Sequence, residues 1–146
     1  MLGRKIVLGT ANFGVSYGIF KSKISKESNV KEILEFCQRN NIDTLDTSID
    51  YLKAEEIIGA SGCNNFNIVT KLPKLDQHNI KSAKKLEKTI FNSISKIKKN
   101  NLYALLFRDP KSILELNHID VWKHAKNLKK KGIIKKLGIS IYNPKS

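Results

Sequence analysis

Leu102-Tyr103-Ala104-Leu105-Leu106-Phe107 is a run of six apolar or aromatic residues with no charge in it. A strand with one wet face alternates polar and apolar residues, whereas a parallel strand covered on both faces reads as a continuous apolar run. Upstream, Ser82 can cap a helix that carries Ala83, Leu86, Ile90, Ile94 and Ile97 along one side. Downstream, Val121, Trp122, Ala125 and Leu128 mark another helix, which Gly132 ends. A buried strand between two amphipathic helices is the unit from which parallel α/β sheets are built.

The same alternation continues toward the N-terminus. Lys5-Ile6-Val7-Leu8-Gly9 reads as a short buried strand feeding an open loop, Thr10 to Ile19, that holds Gly14 and Gly18. Ser28 can cap a helix with Val30, Ile33, Leu34 and Cys37 at i, i+3, i+4 and i+7, ending near Asn40-Asn41, where asparagine tolerates a left-handed cap. Thr44-Leu45-Asp46 begins a second strand-to-loop passage, and Ala54 to Gly59 reads as a short helix stopped by its glycine. Phe66 to Lys71 is a third strand, which Pro73 prevents from continuing. Past Gly132, Ile133 to Ile141 holds a last strand. The order βαβαβαβαβ fits a parallel sheet with right-handed crossovers, as an open doubly wound sheet or as part of a closed barrel; periodicity leaves both open. With no fixed repeat, low-complexity segment or linker, residues 1–146 are expected to form one unit without an internal boundary.

Composition narrows the function classes. The chain of 146 residues is 40% hydrophobic, enough for one globular core. It holds no stretch near the ~18 apolar residues of a membrane helix and no signal-peptide core, so a cytoplasmic protein is expected. Cys37 and Cys63 form no C-x-x-C pair and have no histidine at ligand spacing, so no metal is expected and both read as reduced structural thiols. The net charge of +14 would draw the chain to any polyanion, but specific nucleic-acid binding lacks aromatic platforms or a helix-turn-helix. Lys81, Lys84, Lys85, Lys88, Lys123, Lys126, Lys129 and Lys130 interleave with apolar positions at helical spacing and read as solvated outer faces. His78, His118 and His124 fall in loops or on a helix surface, where solvent or a local hydrogen bond is expected to satisfy them.

Chemistry in parallel α/β architectures gathers at the carboxyl ends of the strands. Asp46 ends the second strand, Tyr51 follows five residues on, Lys71 ends the third, and Arg108-Asp109 ends the fourth. A carboxylate beside an ammonium beside a phenol has a use: Asp46 can hold Lys71 charged, and Lys71 can lower the tyrosine's pKa from its ordinary ~10. Tyr51 then becomes a usable general acid.

At these residues the chain resembles the aldo-keto reductase family. The stretch Asn41-Ile42-Asp43-Thr44-Leu45-Asp46-Thr47-Ser48-Ile49-Asp50-Tyr51, continuing to Glu55 and Gly59, is similar to the family signature around its catalytic aspartate and tyrosine. Leu8-Gly9-Thr10-Ala11-Asn12-Phe13-Gly14 resembles the family's first strand and loop, Val69-Thr70-Lys71 its catalytic lysine, and Lys136-Leu137-Gly138-Ile139-Ser140 its fifth strand. The resemblance implies a (β/α)₈ TIM barrel and an NADP(H)-dependent oxidoreductase acting on a small-molecule carbonyl substrate. It also implies that Tyr51 protonates the carbonyl, Lys71 and Asp46 tune the tyrosine, and Ser140 faces the nicotinamide carboxamide.

Several positions depart from the family pattern. Arg108 stands where the family usually has a histidine; it can donate hydrogen bonds but not titrate, and is open to a substrate role or to an ion pair with Asp109 or another neighbour. Leu52, Ala54 and Ile141 replace a usual glycine, serine and asparagine and are expected to shift loop geometry and cofactor contacts. A closed barrel of this kind takes ~250 residues and draws its phosphate-binding loops from strands seven and eight. The chain is therefore expected to be a fragment, the N-terminal portion of the barrel with about the first four β/α units plus strand five, or to be completed by another chain. Its open edges would invite an oligomer. The alternative is a truncated, non-catalytic half-barrel that serves as a scaffold or interaction module.

Overall fold

The computed structural model describes residues 6–18, 24–75, 80–108, 113–114 and 119–141. Its strands are β1 (Leu8–Gly9), β2 (Thr44–Asp46), β3 (Asn67–Lys71), β4 (Leu102–Phe107) and β5 (Ile134–Ile139). Its helices of seven residues or more are α2 (Glu27–Arg39), α3 (Ala54–Ala60), α4 (Ala83–Ile97) and α5 (Ile119–Lys130), and a single turn, α1 (Ala11–Gly14), follows β1.

All five strands are parallel and lie in the order β1-β2-β3-β4-β5. A doubly wound sheet reverses its strand order at a switch point. Here the order never reverses, and successive helices neighbour one another in the same sequence, α2 against α3, α3 against α4 and α4 against α5. The sheet is thus wound in one direction, as the opening half of a (β/α)₈ barrel is.

Between sheet and helices lies one apolar cluster. Val30, Leu34 and Cys37 of α2, Leu86, Ile90, Ile94 and Ile97 of α4, and Val121, Ala125 and Leu128 of α5 meet Leu45, Ile68, Leu102, Leu105, Phe107 and Ile134 of the strands. Each such Leu, Ile or Phe contributes about 1.5–3 kcal/mol by leaving water. The lysines singled out on α4 and α5 are all exposed, as their spacing predicts. Among the described residues, no helix is long and apolar enough to cross a membrane.

Three helices end in one way. The N–H of Ile42 donates to Cys37 O and that of Asn41 to Gln38 O; Lys99 and Lys98 repeat the pattern on Ile94 and Ser95, and Ile133 and Gly132 on Leu128 and Lys129. These are Schellman closures, which place the residue just past the helix in the left-handed region. That residue is Asn41 at φ 58°, Lys98 at φ 57° and Gly132 at φ 77°.

The structure corrects four local expectations. Ser28 does not cap its helix: α2 begins one residue earlier, Lys26 stands at the cap without a side-chain bond, and the Ser28 hydroxyl donates to Asn29 Oδ1 instead. Ser82 does cap α4, accepting from the Lys85 N–H. Gly59 does not stop α3, which runs one residue past it; a Cβ there would lie 2.1 Å from Lys96 O, so this glycine lets α3 and α4 touch backbone to backbone. The segment after β1 contains the α1 turn where an open loop was expected, and among the described residues of the first strand the ladder pairs are Leu8 and Gly9. His78 and His118 lie outside the described residues; His124 is half-buried, its Nε2 3.3 Å from Glu87 Oε2 but outside hydrogen-bonding alignment.

Candidate active site

The ladder delivers the polar residues to one rim. Parallel register sets Gly9 beside Asp46 and Asp46 beside Val69, and Lys71 lies two residues further along β3. Beyond the strands the backbone keeps pairing: Thr10 N–H donates to Asp46 O, Thr47 N–H to Val69 O, Ile49 N–H to Lys71 O and Ser140 N–H to Phe107 O. Thr10, Thr47, Ile49 and Ser140 are therefore tied to the ladder by their own backbone.

Lys71, buried, places its Nζ 2.6 and 2.7 Å from the two oxygens of Asp46 and 2.9 Å from Thr47 O. An ammonium has three protons to donate, so these contacts use all of them. The same Nζ lies 5.7 Å from the centre of the Tyr51 ring.

A second cation approaches that ring. The Arg108 guanidinium carbon is 5.9 Å from its centre, while Nη2 donates to Ser48 Oγ at 2.8 Å and Nε lies 3.6 Å from Asp50 Oδ2. Ser48 knits the loop together: its hydroxyl also accepts from the Asp50 N–H, and its carbonyl accepts from the Tyr51 N–H. Gly14 supports Tyr51 from behind, for a Cβ there would fall 1.8 Å from Tyr51 O. Leu52, standing where a glycine is usual, adopts φ 48° with its side chain exposed. That left-handed conformation costs a side-chain-bearing residue about 1–2 kcal/mol.

In front of Tyr51 opens a cleft of about 250 Å³ bounded by Gly9, Thr10, Asn12, Tyr17, Asp46 and Tyr51. The Tyr17 ring is tilted 47° to that of Tyr51, with centres 6.3 Å apart. Ser140 sits half-buried immediately past β5.

Asp46, Tyr51, Lys71 and Arg108, drawn from three strand ends, thus converge, with Ser140 on the same rim. Arg108, open in sequence to pairing with Asp109 or another neighbour, lies beside the Asp50 carboxylate, and Asp109 lies outside the described residues. Nothing in the sequence marks a role for Ser48, Asp50 or Tyr17. The first two flank Tyr51 within the quoted signature, but only the fold reveals that they meet a residue sixty positions away.

Behind the rim, Glu55 is buried and accepts from Thr70 Oγ1 at 2.9 Å and Ser93 Oγ at 2.7 Å. Burial pushes its carboxyl above the usual range, and the two hydroxyl bonds oppose that rise. Burial likewise raises the thiols of Cys37 and Cys63. Among the described residues, no group of three or more His, Cys, Asp or Glu side chains is placed to hold a metal ion.

The sequence profile of the Aldo/keto reductase family matches residues 5–146. The chain belongs to that family. Solved aldo-keto reductases share its fold. One assigned in Pseudomonas aeruginosa is 24% identical with a TM-score of 0.77, covering 93% of this chain and 55% of its own. One from Bacillus halodurans, solved in its holo form, is 17% identical with a TM-score of 0.69, covering 96% and 47%. One from Bombyx mori, solved in complex with NADP, is 15% identical with a TM-score of 0.64, covering 92% and 46%. This aldo-keto reductase chain therefore spans about half the length of the solved structures it matches. Comparison with curated proteins yields no significant match.

Proposed function

We propose that this chain carries the proton-donating half of an NADP(H)-dependent carbonyl reductase, with Tyr51 as the general acid. The observation that carries the reading is the Asp46–Lys71 pair locked beneath the Tyr51 ring at the carboxyl rim of the sheet. Bound NADPH would supply the hydride that reduces the carbonyl carbon. Tyr51 gives its phenolic proton to the carbonyl oxygen, and the nearby ammonium and guanidinium favour the phenolate left behind. Asp46 and Thr47 O fix Lys71 so that its charge cannot swing away.

The rim suits the cofactor's nicotinamide end. The Ser140 hydroxyl engages no other described group and suits a carboxamide, and the cleft in front of Tyr51 admits a small carbonyl compound. The phosphate-bearing end would be held elsewhere in the barrel.

A second reading, a non-catalytic half-barrel scaffold, draws support from the β5 edge, where Ile139 and Ile141 are 44% and 58% exposed. Such an apolar edge suits a partner or a second copy. One experiment separates the readings. In the full-length protein, Tyr51→Phe is expected to lower NADPH-dependent carbonyl reduction by at least ~100-fold with NADPH affinity within about threefold of wild type. Turnover that survives the change sinks the mechanism, and a folded wild-type protein indifferent to NADPH favours the scaffold.

A further inference from the structure

Arg108 is a cation with few acceptors among the described residues. Its side chain is only 18% exposed, yet of the five N–H groups on a guanidinium it makes one hydrogen bond to a described residue, from Nη2 to Ser48 Oγ. Nε is fully buried with no hydrogen-bond partner among the described residues, because the Asp50 carboxylate, at 3.6 Å, stands too far off. A buried donor left unmet costs roughly 1–3 kcal/mol, more when charged. Lys71 offers a contrast: its three protons are already committed to Asp46 and Thr47. An anion arriving beside Tyr51 would find its hydrogen bonds at Arg108 and not at Lys71.

We propose that Arg108 anchors a carboxylate borne by the substrate, so that the preferred substrates of this site are 2-oxo acids; the proposal rests on the carbonyl-reductase reading above. A guanidinium presents paired donors that match a carboxylate and keeps its charge at every working pH, which a histidine at the same place would not. With the guanidinium carbon 5.9 Å from the Tyr51 ring centre, a carboxylate on Arg108 brings a 2-oxo acid within reach of the tyrosine. Bound NADPH would supply a hydride to the ketone carbon while the C=O π pair takes the Tyr51 proton, so that a 2-hydroxy acid and NADP⁺ would form. The phenolate regains its proton from solvent.

Oxamate, an unreactive carboxylate shaped like a 2-oxo acid, tests the anchor without turnover. Calorimetry on the full-length protein is expected to show oxamate binding that weakens ~30 to 100-fold in Arg108→Met and is partly restored in Arg108→Lys. The matched substrates pyruvate and butane-2,3-dione give the second readout. Arg108→Met is expected to lower kcat/KM for pyruvate ~20-fold or more beyond its loss for the dione, the shared loss being the guanidinium's part in stabilising the phenolate. Should Arg108→Met fail to fold, the wild type alone decides by whether oxamate competes with the dione and pyruvate outruns it. Equal losses on both substrates, or oxamate binding indifferent to residue 108, would overturn the proposal and leave Arg108 as a clamp on the Ser48 loop. Dione reduction without oxamate binding also overturns it and spares the reductase reading. Oxamate held by Arg108 with no carbonyl reduced does the reverse.

Discussion

Glu55 shows how one buried side chain carries a pH dependence. Burial raises its carboxyl above the ordinary 4.5 despite the bonds from Thr70 and Ser93. The folded protein therefore holds this proton more tightly than the unfolded chain does. The resulting stability is complete below about pH 4.5 and is lost as pH climbs through the folded value, because charging the group inside the fold then opposes folding. Glu55→Gln keeps an acceptor for both hydroxyls and removes the titration. Its Tm relative to wild type is expected to rise as pH goes from about 4 to about 7; a difference that stays flat would mean that burial does not govern this group. Glu55 lay in plain view in the signature, but its burial did not, since that depends on Ser93 arriving from α4. Asp46, Tyr51 and Lys71 were legible because strand ends and spacing mark them. Ser48 and Asp50 were not, because their role is a tertiary contact with Arg108.

At the scale of elements, the helix ends are the most telling. Asn41 and Gly132 suit the left-handed position that a Schellman closure demands, and Lys98 does not. Lys98→Gly removes the clash of a Cβ at φ 57° while sacrificing only an exposed side chain. It is expected to stabilise the protein by about 0.5–1 kcal/mol, net of the greater freedom glycine gains in the unfolded chain, read as a rise in the urea midpoint. A lowered midpoint would show that the lysine side chain contributes more than its backbone strain costs. Strand and helix spans were largely readable, since continuous apolar runs and 3.6-residue stripes report burial directly: β2 and β4 fall where the residues put them. Caps and glycines were less so. Ser28 misses its cap because the helix begins two residues sooner than a cap at Ser28 requires, and Gly59 reads as a stop in sequence although in space it is the point where two helices meet.

For the molecule as a whole, the +14 charge is the dominant long-range term. Like charges spread over the outer helix faces repel one another in the folded state, and salt screens that repulsion. Raising ionic strength from about 0.01 to about 0.15 M shortens the screening length from ~30 to ~8 Å, so Tm is expected to rise across that range. A fall would mean that attractive pairs such as Asp46–Lys71 outweigh the repulsion. Periodicity could not choose between barrel and doubly wound sheet, since both use the same unit; the strand order decides it. That order has a further consequence for how the protein is made. Each strand from β2 to β5 pairs with the one synthesised just before it, so a chain emerging from the ribosome can add these units one at a time. Asp46 and Lys71 can lock together while Arg108 is still unmade, and the anion-facing side of the site is the last part of this rim but Ser140 to arrive.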